Sequence, residues 1–208
     1  PSNFIDRSDT PSVSEFGMEG EENKTHYIQF KNKYILTVLK SGLACIDQHR
    51  AHVKVLYERY MKNIQQRKAA SQQLMFPIRL EVMESEAMLL DDLSEDFSFL
   101  GFDISCLGKG SISINGIPSE CNETEAENYL RDLLQSFKEG GDMKEGRAEK
   151  MAMKLAETSA IKAGKQLTEE EMMNLVSQLF SLPTPDYTSD NRIVMSIMSL
   201  EEIEKKFK

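Results

Sequence analysis

Apolar residues occur in short runs at some places along this chain and at helical spacing at others. Residues 26–47 contain three short apolar runs separated by the polar turns at residues 31–33 and 40–42, which predicts a meander of three strands. Several runs are apolar at consecutive positions, so both faces of these strands must be covered. Helices of the same chain or a second chain can provide that cover equally well.

A helix is predicted over residues 48–70. Asp47 is placed to cap it, because a short carboxylate accepts hydrogen bonds from the unpaired amides of the first helical turn. Helical spacing gives it an apolar face, formed by Ala51, Val55, Leu56 and Tyr60. Lys54 and Glu58 lie one turn apart and are predicted to form a surface pair.

The middle of the chain predicts a small α+β unit. Its elements are a strand, a helix, two strands and a helix at residues 78–82, 85–93, 102–106, 111–117 and 124–137. The polar, glycine-rich stretch KEGGDMKEGR then predicts a hinge at 138–147. Residues 1–24 are rich in Ser, Asp, Glu, Gly and Pro without a sustained period, which predicts a disordered linker of a longer protein.

The last third predicts two helices, a strand and a short helix. Their residues are 148–163, 168–182, 192–198 and 200–207. Thr168 and Glu171 have the spacing of a capping box, and Leu167 and Met172 can pack across it, so the second helix has the clearest start. Gly164 occurs where a helix favours a glycine after its C-terminus.

Composition limits the classes of function. The 208 residues are 40% hydrophobic, and no apolar run approaches the roughly 18–20 residues of a membrane span. No signal peptide is visible, so the cytoplasm is the expected location. A net charge of −9 argues against strong autonomous DNA binding, because phosphates repel an acidic surface. Cys45, Cys106 and Cys121 lack paired spacing, which indicates free thiols.

Four segments carry a resemblance to a known family. In chain order they are YILTVLKSGLACIDQHRAHVKVLYE, QQLMFP, AETSAIKAGKQLTEEEM and TSDNRIVMSI. Their order and spacing resemble the C-terminal domain of the MutL family of DNA mismatch repair proteins. The resemblance implies a two-lobed α+β domain with a discontinuous dimerisation lobe at residues 25–72 and 148–208 and an inserted regulatory lobe at 73–147. It also implies a homodimer that works with mismatch-repair proteins such as MutS.

Many members of this family are metal-dependent endonucleases. Their motif D-Q-H-A-x-x-E-x-x-x-x-E supplies imidazole and carboxylate ligands for manganese or zinc, which bind such groups at defined distances. This chain keeps four residues of the motif: Asp47, Gln48, His49 and Glu58. Arg50 and Val53 replace its Ala and its first Glu. Val53 cannot bind a metal, and Arg50 brings a permanent positive charge.

Two further segments of the family's metal site also differ here. Glu157 replaces the Cys of an A-C-R-like segment. In the family's C-P-H-G-R-P segment, Thr188, Asp190 and Ile193 replace the Cys, the His and the last Pro, and Arg192 is kept. The losses together predict a dimerisation scaffold without a catalytic residue or a metal cofactor.

Two interpretations of the remaining motif residues stay open. In the first, Asp47 is a helix cap, His49 is a polar residue of the first turn, and Glu58 pairs with Lys54. In the second, the chain is an endonuclease with a remodelled site for Mn²⁺ or Zn²⁺. Its catalytic residues would be Asp47, His49 and Glu58, and its metal ligands Asp47, His49, Glu157 and Asp190.

The segment QQLMFP resembles the Q-x-x-L/I-x-P peptide by which MutL endonucleases bind the replication sliding clamp. Gln72, Met75 and Pro77 are the corresponding residues, with Met75 in place of Leu or Ile. Such a peptide inserts a glutamine and an apolar anchor into a groove of its partner. The other interpretation is a lead-in to a strand, with Leu74 and Phe76 in the core.

Overall fold

A computed structural model describes residues 25–108, 110–140 and 146–208, and the side chains of 137–140 are excluded from the description. The linker predicted for residues 1–24 and most of the hinge predicted at 138–147 lie outside these residues. The described residues form seven α-helices and seven strands in two antiparallel sheets, which confirms the α+β class. The two-lobed arrangement and its boundaries stay a prediction.

The chain divides into two compact units. One, the discontinuous unit, joins the residues up to Lys54 to Ile161–Lys208, and the other, the central unit, is Val55–Ala160. Helix α1, Gln48–Gln66, begins in the first unit and continues into the second. Its predicted apolar face is confirmed, since all four residues are buried: Ala51, Val55, Leu56 and Tyr60.

The discontinuous unit contains a four-stranded antiparallel sheet. The predicted meander is confirmed by β1 (Tyr27–Phe30), β2 (Tyr34–Leu39) and β3 (Gly42–Asp47), and β7 (Met195–Met198) pairs with β3. Gly42 permits that pairing, because a side chain there would begin 2.2 Å from the backbone oxygen of Met198. The sheet order is β1-β2-β3-β7.

Helices α6 (Glu169–Phe180) and α7 (Leu200–Glu204) complete this unit. The predicted capping box is confirmed: the Glu171 amide donates to Thr168 Oγ1 at 3.2 Å, and the Thr168 amide donates to Glu171 Oε2 at 2.8 Å. That backbone amide lowers the pKa of Glu171, because it stabilises the ionised carboxylate. Leu167 and Met172 are both buried, as the predicted packing requires.

The central unit contains a three-stranded sheet of order β4-β6-β5. Its strands are β4 (Ser71–Glu81), β5 (Asp103–Gly108) and β6 (Ser111–Pro118). Its helices are α2 (Glu84–Asp92), α3 (Ser94–Leu100), α4 (Ala126–Gly140) and α5 (Arg147–Ser159). Helix α4 packs against α5, and α3 packs against β5.

Several details differ from the sequence-based predictions, and the strand expected at 78–82 already begins at Ser71. Helix α3 was not predicted; it buries Phe97 and Leu100 and ends at Gly101, whose φ of 101° is left-handed. The helix expected to reach residue 163 ends at Ser159. Lys54 was expected on the surface but is only 5% exposed, and its Nζ lies 3.5 Å from Thr184 Oγ1.

The described part of the chain has no helix that combines the length and the apolar character needed to cross a bilayer.

Candidate functional site

The corner where β3 meets α1 carries the residues that resemble a metal site. The predicted cap is confirmed, because the Arg50 amide donates to Asp47 Oδ1 at 3.0 Å. The Arg50 side chain lies beside the same carboxylate, with Nε 3.9 Å from Oδ2. Its Nη1 also donates to the Ile193 carbonyl oxygen at 2.8 Å. A permanent cation therefore links the start of α1 to the segment before β7.

Two histidines of α1 hold the backbone of Ile161 from both sides. His49 Nδ1 lies 2.8 Å from the Ile161 carbonyl oxygen, and the Ile161 amide donates to His52 Nδ1 at 2.9 Å. A carbonyl only accepts, so His49 must carry a proton on Nδ1; an amide donates, so His52 Nδ1 must be unprotonated. Nδ1 therefore carries a proton in His49 and no proton in His52.

Gln48 is fully buried and connects three segments of the discontinuous unit. Its Nε2 donates to the carbonyl oxygens of Asn32 at 2.9 Å and Lys165 at 3.0 Å, and its Oε1 accepts from Gln29 Nε2 at 2.6 Å. The Gln29 Nε2 group also donates to Lys165 at 2.9 Å. The side chains of Gln48, His49 and His52 thus hold the loop at residues 161–165, which explains why α5 does not extend through it.

The segment that aligns with the family's C-P-H-G-R-P forms a tight turn. Thr188 is buried, its amide donates to the Arg192 carbonyl at 2.9 Å, and its Oγ1 accepts from the Arg192 amide at 2.9 Å. The Thr188 hydroxyl also donates to Asp190, whose Oδ2 lies 2.7 Å from Arg192 Nε. Thr188 and Asp190 are therefore engaged in contacts within the turn, Thr188 by hydrogen bonds and Asp190 also by its ion pair with Arg192.

The remaining candidate residues lie on two helices. Val53 is buried on α1, and Glu58 is half-buried further along that helix. Glu157 is exposed on α5 of the central unit, whereas Asp47, His49 and Asp190 belong to the discontinuous unit. Among residues 25–108, 110–140 and 146–208, no three or more His, Cys, Asp or Glu side chains form a group that could hold a metal ion.

The donors near Asp47 do not fit the metal chemistry that the family uses. Asp47 is engaged as a cap and faces Arg50, whose charge opposes that of a metal ion. Burial, followed by the charge of Asp47, raises the pKa of the Cys45 thiol, and only a thiolate binds metal well. Of these described residues, His49 has a suitable orientation, because its Nδ1 contacts the Ile161 carbonyl oxygen and a ligating imidazole commonly donates its other N–H to a backbone carbonyl.

The four-stranded sheet has one buried and one exposed face. Ile35, Ala44 and Ile46 are fully buried on the first. The second, here called the outer face, holds six apolar side chains that alternate with the buried set: Ile28, Phe30, Leu36, Val38, Leu43 and Met198. Val38 pairs across the strands with Leu43, and Leu43 pairs with Met198, so these three form a continuous row.

The QQLMFP segment lies in β4, at one edge of the central sheet. Pairing with β6 is irregular between Gln73 and Ile78, and Met75 and Phe76 are 84% and 80% exposed. The prediction that Phe76 enters the core is therefore wrong, whereas Leu74 is buried. The Gln72 Nε2 group donates to Glu123 Oε1 at 2.9 Å.

Sequence reasoning missed the structural roles of Gln48 and His52. Gln48 was identified only as a residue of the metal-binding motif, and His52 was given no role. Their hydrogen-bond partners lie far away along the chain, so the sequence did not indicate them. The i and i+3 spacing of His49 and His52 places both rings near one side of the helix, and this was the available signal. It did not identify Ile161 as the shared partner.

Comparisons with known proteins identify the family. The family model "MutL C terminal dimerisation domain" matches residues 27–167. The "DNA mismatch repair protein MutL" of Bacteroides fragilis (strain YCH46) is 44% identical over 188 residues, which are 90% of this chain and 30% of the relative. The protein of the same name from Parabacteroides distasonis is 41% identical over 181 residues, 86% of this chain and 29% of the relative. The chain thus spans about 30% of the length of these curated relatives, and it belongs to the MutL C terminal dimerisation domain family.

Proposed function

We propose that this chain is the homodimerisation domain of a DNA mismatch repair MutL protein, and that it is a scaffold without nuclease activity of its own. The observation that carries the proposal is the outer face of the sheet, because contiguous apolar surface on a folded protein marks an interaction site. The family match supports the same conclusion.

The chemistry of the outer face suits contact with an identical copy. Its row of Val38, Leu43 and Met198 is uncharged, so two copies can meet there without burying a charge. A two-fold axis through the face would pair the same patch of both copies, which is the most frequent symmetry of soluble homo-oligomers. Burial of these side chains would supply the hydrophobic stabilisation.

A dimer of this domain would act by proximity. The other regions of the two MutL protomers would be held close together at high effective concentration. Association of those regions with each other would then be intramolecular. We propose that the dimer acts after mismatch recognition by MutS and passes the signal to a partner that cuts or unwinds DNA. Light scattering should give twice the 23.7 kDa of one chain; a monomer at micromolar concentration would contradict the proposal.

The absence of nuclease activity is part of this proposal. Three features support it: Val53 is a buried apolar residue at a ligand position, Arg50 neutralises Asp47, and Asp190 pairs with Arg192. The competing function is a metal-dependent endonuclease with remodelled ligands. One feature favours it, namely the Nδ1 contact of His49, which leaves Nε2 of a neutral ring as an acceptor.

We expect this chain to leave supercoiled plasmid intact in the presence of Mn²⁺, at the level of a chelated control. Asp47→Asn should change nothing, and asparagine caps a helix as well as aspartate, so the fold should survive. Gel separation of nicked and supercoiled DNA measures the result. Manganese-dependent nicking that is lost in Asp47→Asn would establish the endonuclease instead, and elemental analysis of protein purified without chelator gives an independent check.

A second proposed role is binding of the replication sliding clamp through Gln72, Met75 and Pro77. The exposure of Met75 favours it, because a peptide anchor must be accessible before it enters a partner's groove. The irregular pairing of β4 between Gln73 and Ile78 supports it too, since that stretch is not locked into the β6 ladder. Gln72 would have to exchange its hydrogen bond with Glu123 for one with the clamp.

Replacing Met75 by aspartate is expected to weaken clamp binding about ten-fold or more, because a charge would enter an apolar pocket. Met83→Asp makes the same change at another exposed methionine of the central unit and should alter the affinity less than about two-fold. Calorimetry with purified clamp measures both. Unchanged affinity in Met75→Asp and in the double variant Gln72→Ala, Pro77→Ala would exclude this role.

A further inference from the structure

We propose that a groove between α2 and the β5–β6 hairpin docks a basic, amphipathic segment of a partner protein. The groove, here called the α2 groove, has a volume of about 670 Å³. Val82, Ala87 and Met88 form one wall, and Cys106 and Gly108 contribute to the other. This surface lies within the central unit, and neither the proposed dimerisation nor the proposed clamp binding uses it.

The apolar part of the α2 groove is accessible. Met88 lines it and is 67% exposed. Exposed apolar side chains that lie together in one groove often mark an interaction site. Methionine is flexible and polarisable, so it adapts to apolar anchors of different shapes and is frequent on surfaces that accept helical peptides.

The charge of this region selects a cationic partner. Residues 80–108 contain eight acidic side chains and no basic one. Two of the acidic residues, Glu84 and Asp91, line the groove itself. The next basic residue, Lys109, lies outside the described residues. Acidic side chains beside accessible apolar ones attract a segment that presents Lys or Arg on one face and apolar anchors on the other.

The same acidic side chains disfavour three other candidate ligands of the α2 groove: nucleic acid, a second copy of this chain and residues 1–24 of the chain itself. Nucleic acid would be repelled by Glu84 and Asp91. A second copy of this chain carries a net charge of −9, and residues 1–24 carry six acidic and two basic side chains, so neither is complementary to the groove. Charge complementarity therefore favours a basic segment of a different protein.

A synthetic helical peptide of about 18 residues, with leucine on one face and lysine on the other, is a suitable probe. Fluorescence anisotropy of the labelled peptide with the full chain should show binding at physiological ionic strength. Asp91→Lys is expected to weaken binding about ten-fold. Asp92→Lys changes the charge equally at an exposed neighbour that does not line the groove, and it should weaken binding about two-fold or less.

Met88→Lys tests the apolar wall in the same way. It should weaken peptide binding about ten-fold, whereas Met173→Lys, at an exposed methionine of the discontinuous unit, should have an effect below about two-fold. Circular dichroism establishes that the variants fold. Bound peptide should also slow alkylation of Cys106, which is exposed and lines the groove.

Three results would overturn the proposal. Equal losses in Asp91→Lys and Asp92→Lys, or in the two methionine variants, would mean general attraction to an acidic surface. An unchanged alkylation rate of Cys106 under saturating peptide would place the peptide elsewhere. A loss of dimer mass in Met88→Lys would assign the groove to contact between copies of this chain.

Discussion

Replacing Val38 by aspartate is expected to divide the homodimer into monomers at micromolar concentration. Val38 is 74% exposed and forms the row of the outer face with Leu43 and Met198. At a two-fold interface the substitution occurs in both copies, so two carboxylates would be buried in apolar surroundings or brought close together. We expect the dissociation constant to rise about 100-fold or more, which corresponds to about 2.7 kcal/mol.

Sedimentation velocity over a range of concentrations measures this effect. Met88→Asp is the matched control, because it introduces the same charge at an exposed apolar residue of the central unit. It should leave the dissociation constant within about two-fold of the original value. If Val38→Asp remains a dimer while its fold is intact by circular dichroism, the outer face is not the interface.

Replacing Gln48 by leucine is expected to lower the free energy of unfolding by about 2–4 kcal/mol. Gln48 is fully buried and makes hydrogen bonds to Gln29, Asn32 and Lys165. Leucine has a similar volume but no polar atoms, so the loss comes from buried partners that no longer have a hydrogen bond. The thermal midpoint should fall by roughly 5–15 °C in a domain of this size.

Gln65→Leu provides the control on the same helix. Gln65 is exposed, so its replacement should change the free energy of unfolding by less than about 0.5 kcal/mol. Denaturant titrations of both variants must use one protein concentration, because dimerisation makes apparent stability depend on concentration. Equal stability of Gln48→Leu and the original chain would show that the Gln48 network contributes little.

Two helix caps, whose partners lie close together in sequence, were predicted correctly. Thr168 and Glu171 cap α6 through each other's side chains and amides, within four residues. Asp47 caps α1 through the amide three residues further on. Such contacts form whenever the helix forms, so residue type and spacing suffice to identify them.

Features that depend on partners far away in the sequence were not predicted. Residues 148–163 have helical spacing throughout, but His49 binds the carbonyl and His52 the amide of Ile161, and a longer helix would need both groups for itself. Lys54 was expected to form a surface pair with Glu58, one helical turn away, but it is buried and its side chain reaches Thr184. Helix α3 is short enough for its signal, the spacing of Phe97 and Leu100 before Gly101, to be overlooked.

By itself, the sequence determined the α+β class, most helices and strands, the local caps and the family, because these follow from periodicity, short-range hydrogen bonds and ordered motifs. Tertiary structure alone decided which apolar residues remain accessible. Consecutive apolar positions in β2 and β3 left open whether helices or another chain cover the strands. The fold buries Ile35 and Ile46 and leaves Ile28 and Val38 exposed. It also decided the roles of Gln48 and His49, since hydrogen bonds to residues more than a hundred positions away link them to the loop at 161–165.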